Sequence, residues 1–409
     1  MLSSACRSCG NVGARTVVDL GLQPLSNAYL AADEVAEERV YPLHARFCRH
    51  CYLVQVDDVV AADDIFTDYA YFSSYSDSWV AHARQFAHEA AQRFALGPSS
   101  FVVEIASNDG YLLSHFQELG VPVLGIEPAR NVAVVAIERG VPTDVRFFGL
   151  STATDLVCRG MQADLIVANN VLAHVPDLND FVRGLAKLLA TAGSISIEVP
   201  HLLRLVQETQ FDTIYHEHFS YFSLLAARQV LERHGLHIFD VQRLATHGGS
   251  LRIFAGHAAS GRKVTERVED ILAEERAAGL DRYEGFAGFA GQVEACRDGL
   301  VRYLSAACRD GRKVVGYGAA AKGNTLLNYA GVGPQWLEYV ADRSPHKQGR
   351  LLPGTHLPVV DPVQLDRDRP DDILILPWNL RDEIVDQLSR ARGWGARFVT
   401  AVPAIEVIG

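Results

Sequence analysis

The 409-residue chain has no uninterrupted apolar run long enough to span a bilayer. Its first residues lack a basic segment followed by an apolar stretch, so no secretory leader is expected and a cytoplasmic protein is. It has no basic excess: 38 Lys and Arg stand against 49 Asp and Glu, a net charge of −11. A nucleic-acid partner would call for a basic stripe, so none is expected. Any anionic ligand must be held locally, by helix N-termini and a few placed cations. Cysteine is scarce, seven in all, too few for a disulfide scaffold of this size. Internal repeats and low-complexity tracts are missing. With 48% hydrophobic and 21% charged residues the chain is too apolar for disorder. What is left is an ordinary globular composition, over a length that suits roughly three domains.

Apolar periodicity predicts a helix over 76–96, with Trp79, Ala83, Phe86, Ala90 and Phe94 at helical spacing. Strands follow at 101–105, 123–127, 163–168 and 194–199. Helices are predicted at 112–119, 131–139, 178–189 and 224–234, and a strand pair at 236–243 and 251–257 closes the region. Strands separated by such helices imply parallel pairing with right-handed crossovers. Residues 260–308 read as a helical connector. From Lys313 a second alternation begins, with strands at 314–317, 337–341, 373–376 and 397–402. The expected fold class is therefore α/β and multidomain. It comprises a cysteine-bearing head (1–70), a doubly wound sheet (71–258), a helical connector (259–310) and a second Rossmann-like unit (311–409).

The head carries two C-x2-C pairs, Cys6/Cys9 and Cys48/Cys51. Each pair can place two thiolates on one side of a tight turn, and two such knuckles complete a tetrahedral zinc site. Disulfides fit poorly with the missing leader, and a redox C-x2-C is usually single and sits at a strand–helix junction. Structural zinc outweighs both. Cys158, Cys296 and Cys308 are isolated and read as packing residues.

The loop Glu104-Ile105-Ala106-Ser107-Asn108-Asp109-Gly110 ends the first strand, and Glu127 ends the second. A carboxylate at that strand tip suits hydrogen bonding to a ribose diol. The loop is not G-x-G-x-x-G, so it fits S-adenosylmethionine (SAM) better than a dinucleotide. On this loop alone, an ordinary βα turn with a solvated Glu127 accounts for the residues equally well. Two further clusters tip the balance. Asn169-Asn170 and His174 follow the third strand. The run from Thr213 to Phe222, with Tyr215, His216, Glu217 and His218, follows the next. Both would face one crevice, and so many polar groups are costly to leave unpaired against a core.

Cys6-x2-Cys9…Cys48-x2-Cys51, Glu104-x3-Asn108-Asp109-Gly110, Ala173-His174-Val175-Pro176, Tyr215-His216-Glu217-His218-Phe219, His247-Gly248-Gly249-Ser250 and Gly316-Tyr317-Gly318-Ala319-Ala320-Ala321-Lys322 occur in this order. In these motifs the chain resembles the SAM-dependent sugar C-methyltransferases, which add a branching methyl to nucleotide-linked deoxysugars in antibiotic and cell-surface sugar pathways. The resemblance implies a zinc-binding head, a class I methyltransferase centre and a C-terminal domain holding the substrate's nucleotide. It implies a dTDP-linked keto-deoxysugar methylated at C-3. One departure is Ala106, where the family usually has glycine. Alanine still permits close approach, so cofactor binding is expected to survive.

Transfer to carbon needs a carbanion equivalent, hence a base at the carbon and donors at the enolate oxygen. The residues and the resemblance together give His218 as base and Tyr215 and Tyr69 as donors. Glu217 would orient an imidazole or a sugar hydroxyl, and His174 would sit beside the sugar. Cofactor candidates are Tyr75, Glu104, Ala106, Asn108, Gly110, Glu127, Pro128, Asn131, Asn169 and Asn170. Tyr71 reads equally well as an aromatic interface residue. In the C-terminal unit the Gly316-x-Gly318 turn, with Lys322, Asn324, Thr325, Arg343, Trp378 and Asn379, is the candidate nucleotide site. The expected partner is a nucleotide-sugar small molecule, with no nucleic acid or membrane, and the expected state is a monomer or weak homodimer. The competing readings are O- or N-methylation, an NAD(P)-dependent dehydrogenase using the Gly316-x-Gly318 turn with Asp342 on the ribose, and a non-catalytic zinc scaffold.

Overall fold

The computed structural model describes residues 5–57, 60, 74 and 77–409. The candidates Tyr69 and Tyr75, like Tyr71, lie outside the described residues. Strands β1 (Arg15–Pro24), β2 (Val40–Phe47) and β3 (Val54–Val56) form an antiparallel meander in the head. Leu43, Ala45 and Phe47 alternate inward along β2, the period of two expected of a half-buried strand.

The central sheet holds β4 (Val102–Ile105), β5 (Val123–Ile126), β6 (Thr143–Asp144), β7 (Ala163–Asn169) and β8 (Leu189–Pro200), all parallel in the order β8-β7-β4-β5-β6. Strand β9 (Ser220–Tyr221) leaves this region to pair with β3, so the head sheet is completed from the central part of the chain. Strand β11 (Ser250–His257) runs antiparallel between β8 and the edge strand β10 (Leu236–Leu244). Helices α1 (Asp77–Arg93), α2 (Leu113–Glu118), α3 (Arg130–Glu138), α4 (Leu150–Cys158), α5 (Leu178–Leu188), α6 (Leu202–Gln207) and α7 (Leu224–Glu232) accompany the strands. In α5, Leu178, Phe181, Val182, Leu185 and Leu188 are buried at helical spacing, and Asp177 caps the start by accepting from the Asp180 N–H. Strand β6 and helix α4 carry no prediction from the sequence. The strand has two residues, and α4 is rich in Ser and Thr, which compete with their own backbone for hydrogen bonds.

Helices α8 (Glu266–Ala277) and α9 (Phe289–Arg309) form the connector. Glu275 of α8 is fully buried. Its carboxylate accepts from the Leu224 and Leu225 N–H groups at 2.6 and 2.8 Å, the free N-terminal donors of α7, and lies 2.7 Å from His201 Nε2. The third sheet has β12 (Val314–Tyr317), β13 (Val340–Ala341), β14 (Val359–Val360), β15 (Asp372–Ile375) and β16 (Arg397–Thr400) parallel, with β17 (Glu406–Ile408) antiparallel at the edge. Helices α10 (Ala321–Tyr329), α11 (Val363–Asp368) and α12 (Arg381–Gln387) pack on it. The strand expected over 337–341 shrinks to two residues, because only Val340 and Ala341 pair with β12.

Both parallel sheets reverse their strand order once, between β4 and β7 and between β12 and β15. A crevice opens over the carboxyl ends of the strands at such a reversal. One apolar cluster is continuous from the head through the central sheet to β16, so the units share a core. No described helix is long and apolar enough to cross a membrane.

Candidate active site

The first crevice is built from backbone strain. After β4 the chain takes left-handed φ values at Ala106 (53°), Asn108 (50°) and Gly110 (78°). The loop folds back on β5, where a side chain at Gly125 would collide with Ser107. Glu127 fastens the loop: one carboxylate oxygen accepts from the Asn108 N–H at 2.9 Å, the other from the Ala129 N–H at 2.8 Å. Pro128 and Asn131 sit beside it at the start of α3. Glu104 is 1% exposed, and burial, with Glu127 and Asp109 nearby, pushes its carboxyl well above the usual range. Glu104 Oε2, Ser107 Oγ, Asp109 Oδ1, Asn169 Oδ1 and Asn170 Oδ1 are buried without a partner among the described residues. Buried acceptors in native proteins are normally satisfied. A nucleoside with ribose hydroxyls, an exocyclic amine and an ammonium group brings the missing donors, so these residues fit SAM.

The second cluster comes from the 211–222 segment. His218 Nδ1 is 3.0 Å from the Thr213 carbonyl oxygen, which can only accept, so Nδ1 carries the proton. Nε2 is therefore the lone-pair nitrogen, and the Tyr215 hydroxyl donates to it at 2.9 Å. The Tyr215 ring lies 4.1 Å from the imidazole, centroid to centroid, and the His174 ring 4.6 Å away on another side. Burial, His174, His247 and Lys322 hold the His218 pKa well below that of a free histidine. Burial also brings His174 down to about 4. Glu217 turns away from the rings. Both its oxygens accept from the Asn27 amide of the head, at 2.7 and 2.8 Å, and burial raises its pKa to about 7.

The third group lies over the reversal between β12 and β15. Lys322 Nζ donates to Asn379 Oδ1 at 2.6 Å and sits 4.7 Å from the Trp378 ring centre. The Trp378 indole donates to Asp212 at 2.7 Å, and Asp212, raised to about 6 by burial, is one residue before the Thr213 carbonyl that holds His218. Lys322 acts electrostatically on His218, His247 and Asp212 together. Lys322 thus links the C-terminal group electrostatically to the 211–222 segment. Asn324 and Thr325 are placed differently from the substrate contacts expected of them. Both are buried: the Asn324 amide donates to the Ser26 carbonyl at 2.6 Å, and Thr325 bonds the Ile214 carbonyl at 3.2 Å. They tie α10 to the head and to the 211–222 segment. Arg343 is exposed after β13.

In the head, Cys6 and Cys51 Sγ are 3.5 Å apart, as are Cys9 and Cys48, and all four sulfurs lie within 4.8 Å of one another. Four thiolates at that spacing fit a tetrahedral zinc ion with Zn–S bonds of about 2.3 Å. With four protein ligands the site is closed, so the metal is structural.

Three family models cover most of the chain: a zinc binding domain over residues 6–66, a methyltransferase domain over 79–241, and a C-methyltransferase C-terminal domain over 245–403. The chain is 37% identical over 404 residues to "C-methyltransferase NovU" of Streptomyces niveus, covering 98% of this chain and 96% of that one. The chain belongs to the C-methyltransferase family. A ubiquinone biosynthesis O-methyltransferase of Methylobacterium is 36% identical over 112 residues, 25% of this chain and 44% of its own. Among solved structures, the SAM-bound magnesium protoporphyrin IX methyltransferase of Synechocystis aligns with 44% of this chain and 81% of its own, at 15% identity and a TM-score of 0.33.

This C-methyltransferase uses SAM, and its zinc holds the head together. The dehydrogenase and scaffold readings fall with the family assignment. Within the C-terminal turn, Asp342 is occupied by the Ala319 and Ser344 N–H groups at 2.7 Å each. Three site residues escaped the sequence reading. Asp212 and Asn27 stand alone in sequence with nothing to mark them. His247 did carry a signal in sequence, since it opens the glycine-rich turn His247-Gly248-Gly249; its left-handed φ of 56° shows only in the structure.

Proposed function

We propose that this C-methyltransferase methylates the carbon beside a ketone, C-3 of a dTDP-linked keto-deoxysugar, through an enolate with His218 as base. The observation that supports the reading is the tautomer of His218: the Thr213 carbonyl takes the Nδ1 proton and leaves Nε2, now bonded by the Tyr215 hydroxyl, as the basic nitrogen. When bound, SAM would supply an electrophilic methyl, the S–CH3 electron pair returning to sulfur to leave the neutral thioether S-adenosylhomocysteine. Glu104, Glu127, Asn169 and Asn170 would hold it. Lys322, Trp378 and Asn379 would take the nucleotide end, and the diphosphate charge would offset the lysine that depresses His218, raising its basicity when substrate is present. His218 Nε2 then takes the C-3 proton. The C–H electron pair moves into the enolate, Tyr215 turns its O–H from the imidazole to the enolate oxygen, and the carbonyl re-forms as the new carbon–carbon bond closes. Glu217 would hold a neighbouring sugar hydroxyl.

The test is isotopic. With S-adenosylhomocysteine in place of SAM, the wild type should exchange the substrate C-3 proton with solvent deuterium. His218→Gln should slow that exchange by at least about a hundredfold. Exchange at the wild-type rate would remove His218 from the role of base.

A further inference from the structure

The zinc-bearing head meets the 215–218 run through the side chain of Asn27, among other contacts. Asn27 lies on the loop after β1, and its amide spans the Glu217 carboxylate, 2.7 Å from one oxygen and 2.8 Å from the other. The loop carrying it is fixed on both sides. The Ser26 carbonyl accepts from Asn324 at 2.6 Å, the Tyr29 hydroxyl donates to the Ala319 carbonyl at 2.5 Å, and Leu30 pairs with Leu351 through reciprocal backbone bonds of 3.1 and 2.8 Å. Asn27 therefore cannot follow Glu217 if the carboxylate moves. The amide orientation is forced as well, since a flipped amide would set its oxygen against two carboxylate oxygens. We propose that Asn27 is a positioning residue: it fixes the orientation and the ionisation of Glu217, and so couples the zinc-bearing head to the methyl-transfer site without touching substrate.

This rests on the reading that ionised Glu217 serves the reaction. The other groups that face Glu217 are Lys347 from the loop after β13, Tyr29 from the head and His174, which meets the Glu217 backbone from the turn after β7. Of these only Lys347 is cationic, and the Lys347 ammonium is already bonded to the Ala319 carbonyl at 2.6 Å. The Asn27 donors are thus the ones directed onto the carboxylate itself, and they favour its charged form.

The experiment compares Asn27→Ala with the isosteric Asn27→Asp, which preserves packing but sets a second carboxyl against Glu217. Two readouts are needed. The carbonyl-stretch infrared difference against Glu217→Gln follows protonation of Glu217 without any assay of turnover, and kcat and KM across pH follow the reaction. Asn27→Ala should move the Glu217 midpoint up by about one pH unit. It should lower kcat at pH 7 about fivefold with KM less affected, and move the acidic limb of kcat alkaline by about one pH unit. Asn27→Asp should move the midpoint further, because like charges raise one member of a pair. A zinc-replete variant with an unmoved midpoint overturns the proposal. A moved midpoint with unchanged kcat overturns the role of Glu217 in turnover, and with it that of Asn27, while leaving His218 untouched.

Discussion

At the scale of single residues, strain and orphaned acceptors mark this site more sharply than residue type does. Ala106 is the clearest case. Its φ of 53° is a left-handed value that costs an alanine about 1 kcal/mol or more, and glycine takes it freely. Ala106→Gly should therefore stabilise the protein by about 1 kcal/mol, the relief of strain outweighing the added freedom of the unfolded chain. It should leave the SAM dissociation constant equal or lower, since the loop backbone is already in place. Urea unfolding and calorimetric titration with SAM measure the two effects. A loss of stability would mean that the alanine methyl contributes packing that the strain argument omits. The other strained or buried residues of this crevice, Asn108, Asn170 and Glu104, were visible in sequence as polar residues at strand ends. Their conformation was not, because a left-handed φ at Asn or Ala leaves no signature of the kind that an obligatory glycine does.

At the scale of elements, the knuckles and the proposed base His218 are joined by one short strand. Strand β3 runs directly from the Cys48–Cys51 knuckle and pairs with β9, whose Ser220 is two residues beyond His218. Zinc removal should loosen the meander and let this pairing slip. A displacement near 1 Å at a reacting group costs about a hundredfold in rate. Chelation, or Cys48→Ser, should release the metal, lower the thermal midpoint and reduce kcat by roughly that factor, while SAM binding at the ends of β4 and β5 persists. Full loss of zinc with unchanged kcat would sever the link. The sequence shows the two knuckles and the 215–222 run, but not that they share a sheet, because a two-residue strand has no periodicity. The same limit hid β6, β14 and the short form of β13. Continuously buried strands such as β4 and β7 were legible because both of their faces are largely buried. The strand β11, inserted antiparallel, was visible as a strand and not as an insertion, since order in a sheet is set by tertiary packing.

At the scale of the whole molecule, burial where the units pack together perturbs several titratable groups, and their pH dependences oppose each other. His174 and His247 are each brought down to about 4 by burial, and burial also holds His218 well below the ordinary histidine value. The unfolded chain therefore binds more protons than the native one below about pH 6.5, and these histidines cost stability as pH falls from there toward 4. Glu217 and Asp212 act the other way. Burial raises them to about 7 and about 6, so the native state holds its protons longer. Stability from these two is full below their ordinary carboxylate range and is lost as pH rises through 6 and 7. Between pH 4.5 and 6.5 the three histidines and the two carboxylates act in opposite directions, so the stability of the unliganded enzyme should vary less with pH there than either set alone would make it. Above pH 7 the Glu217 carboxylate is charged and buried, a cost on the order of 3 kcal/mol by its shift. Glu217→Gln removes that cost. The variant should match the wild type in thermal midpoint near pH 4.5, overtake it through pH 6, and hold a constant lead above pH 7, all while losing turnover. Midpoints measured at half-unit steps from pH 4.5 to 8.5 decide it. A lead that is the same at every pH would show that Gln merely packs better, and that the ionised carboxylate beneath Asn27 is not a strained charge held for the reaction.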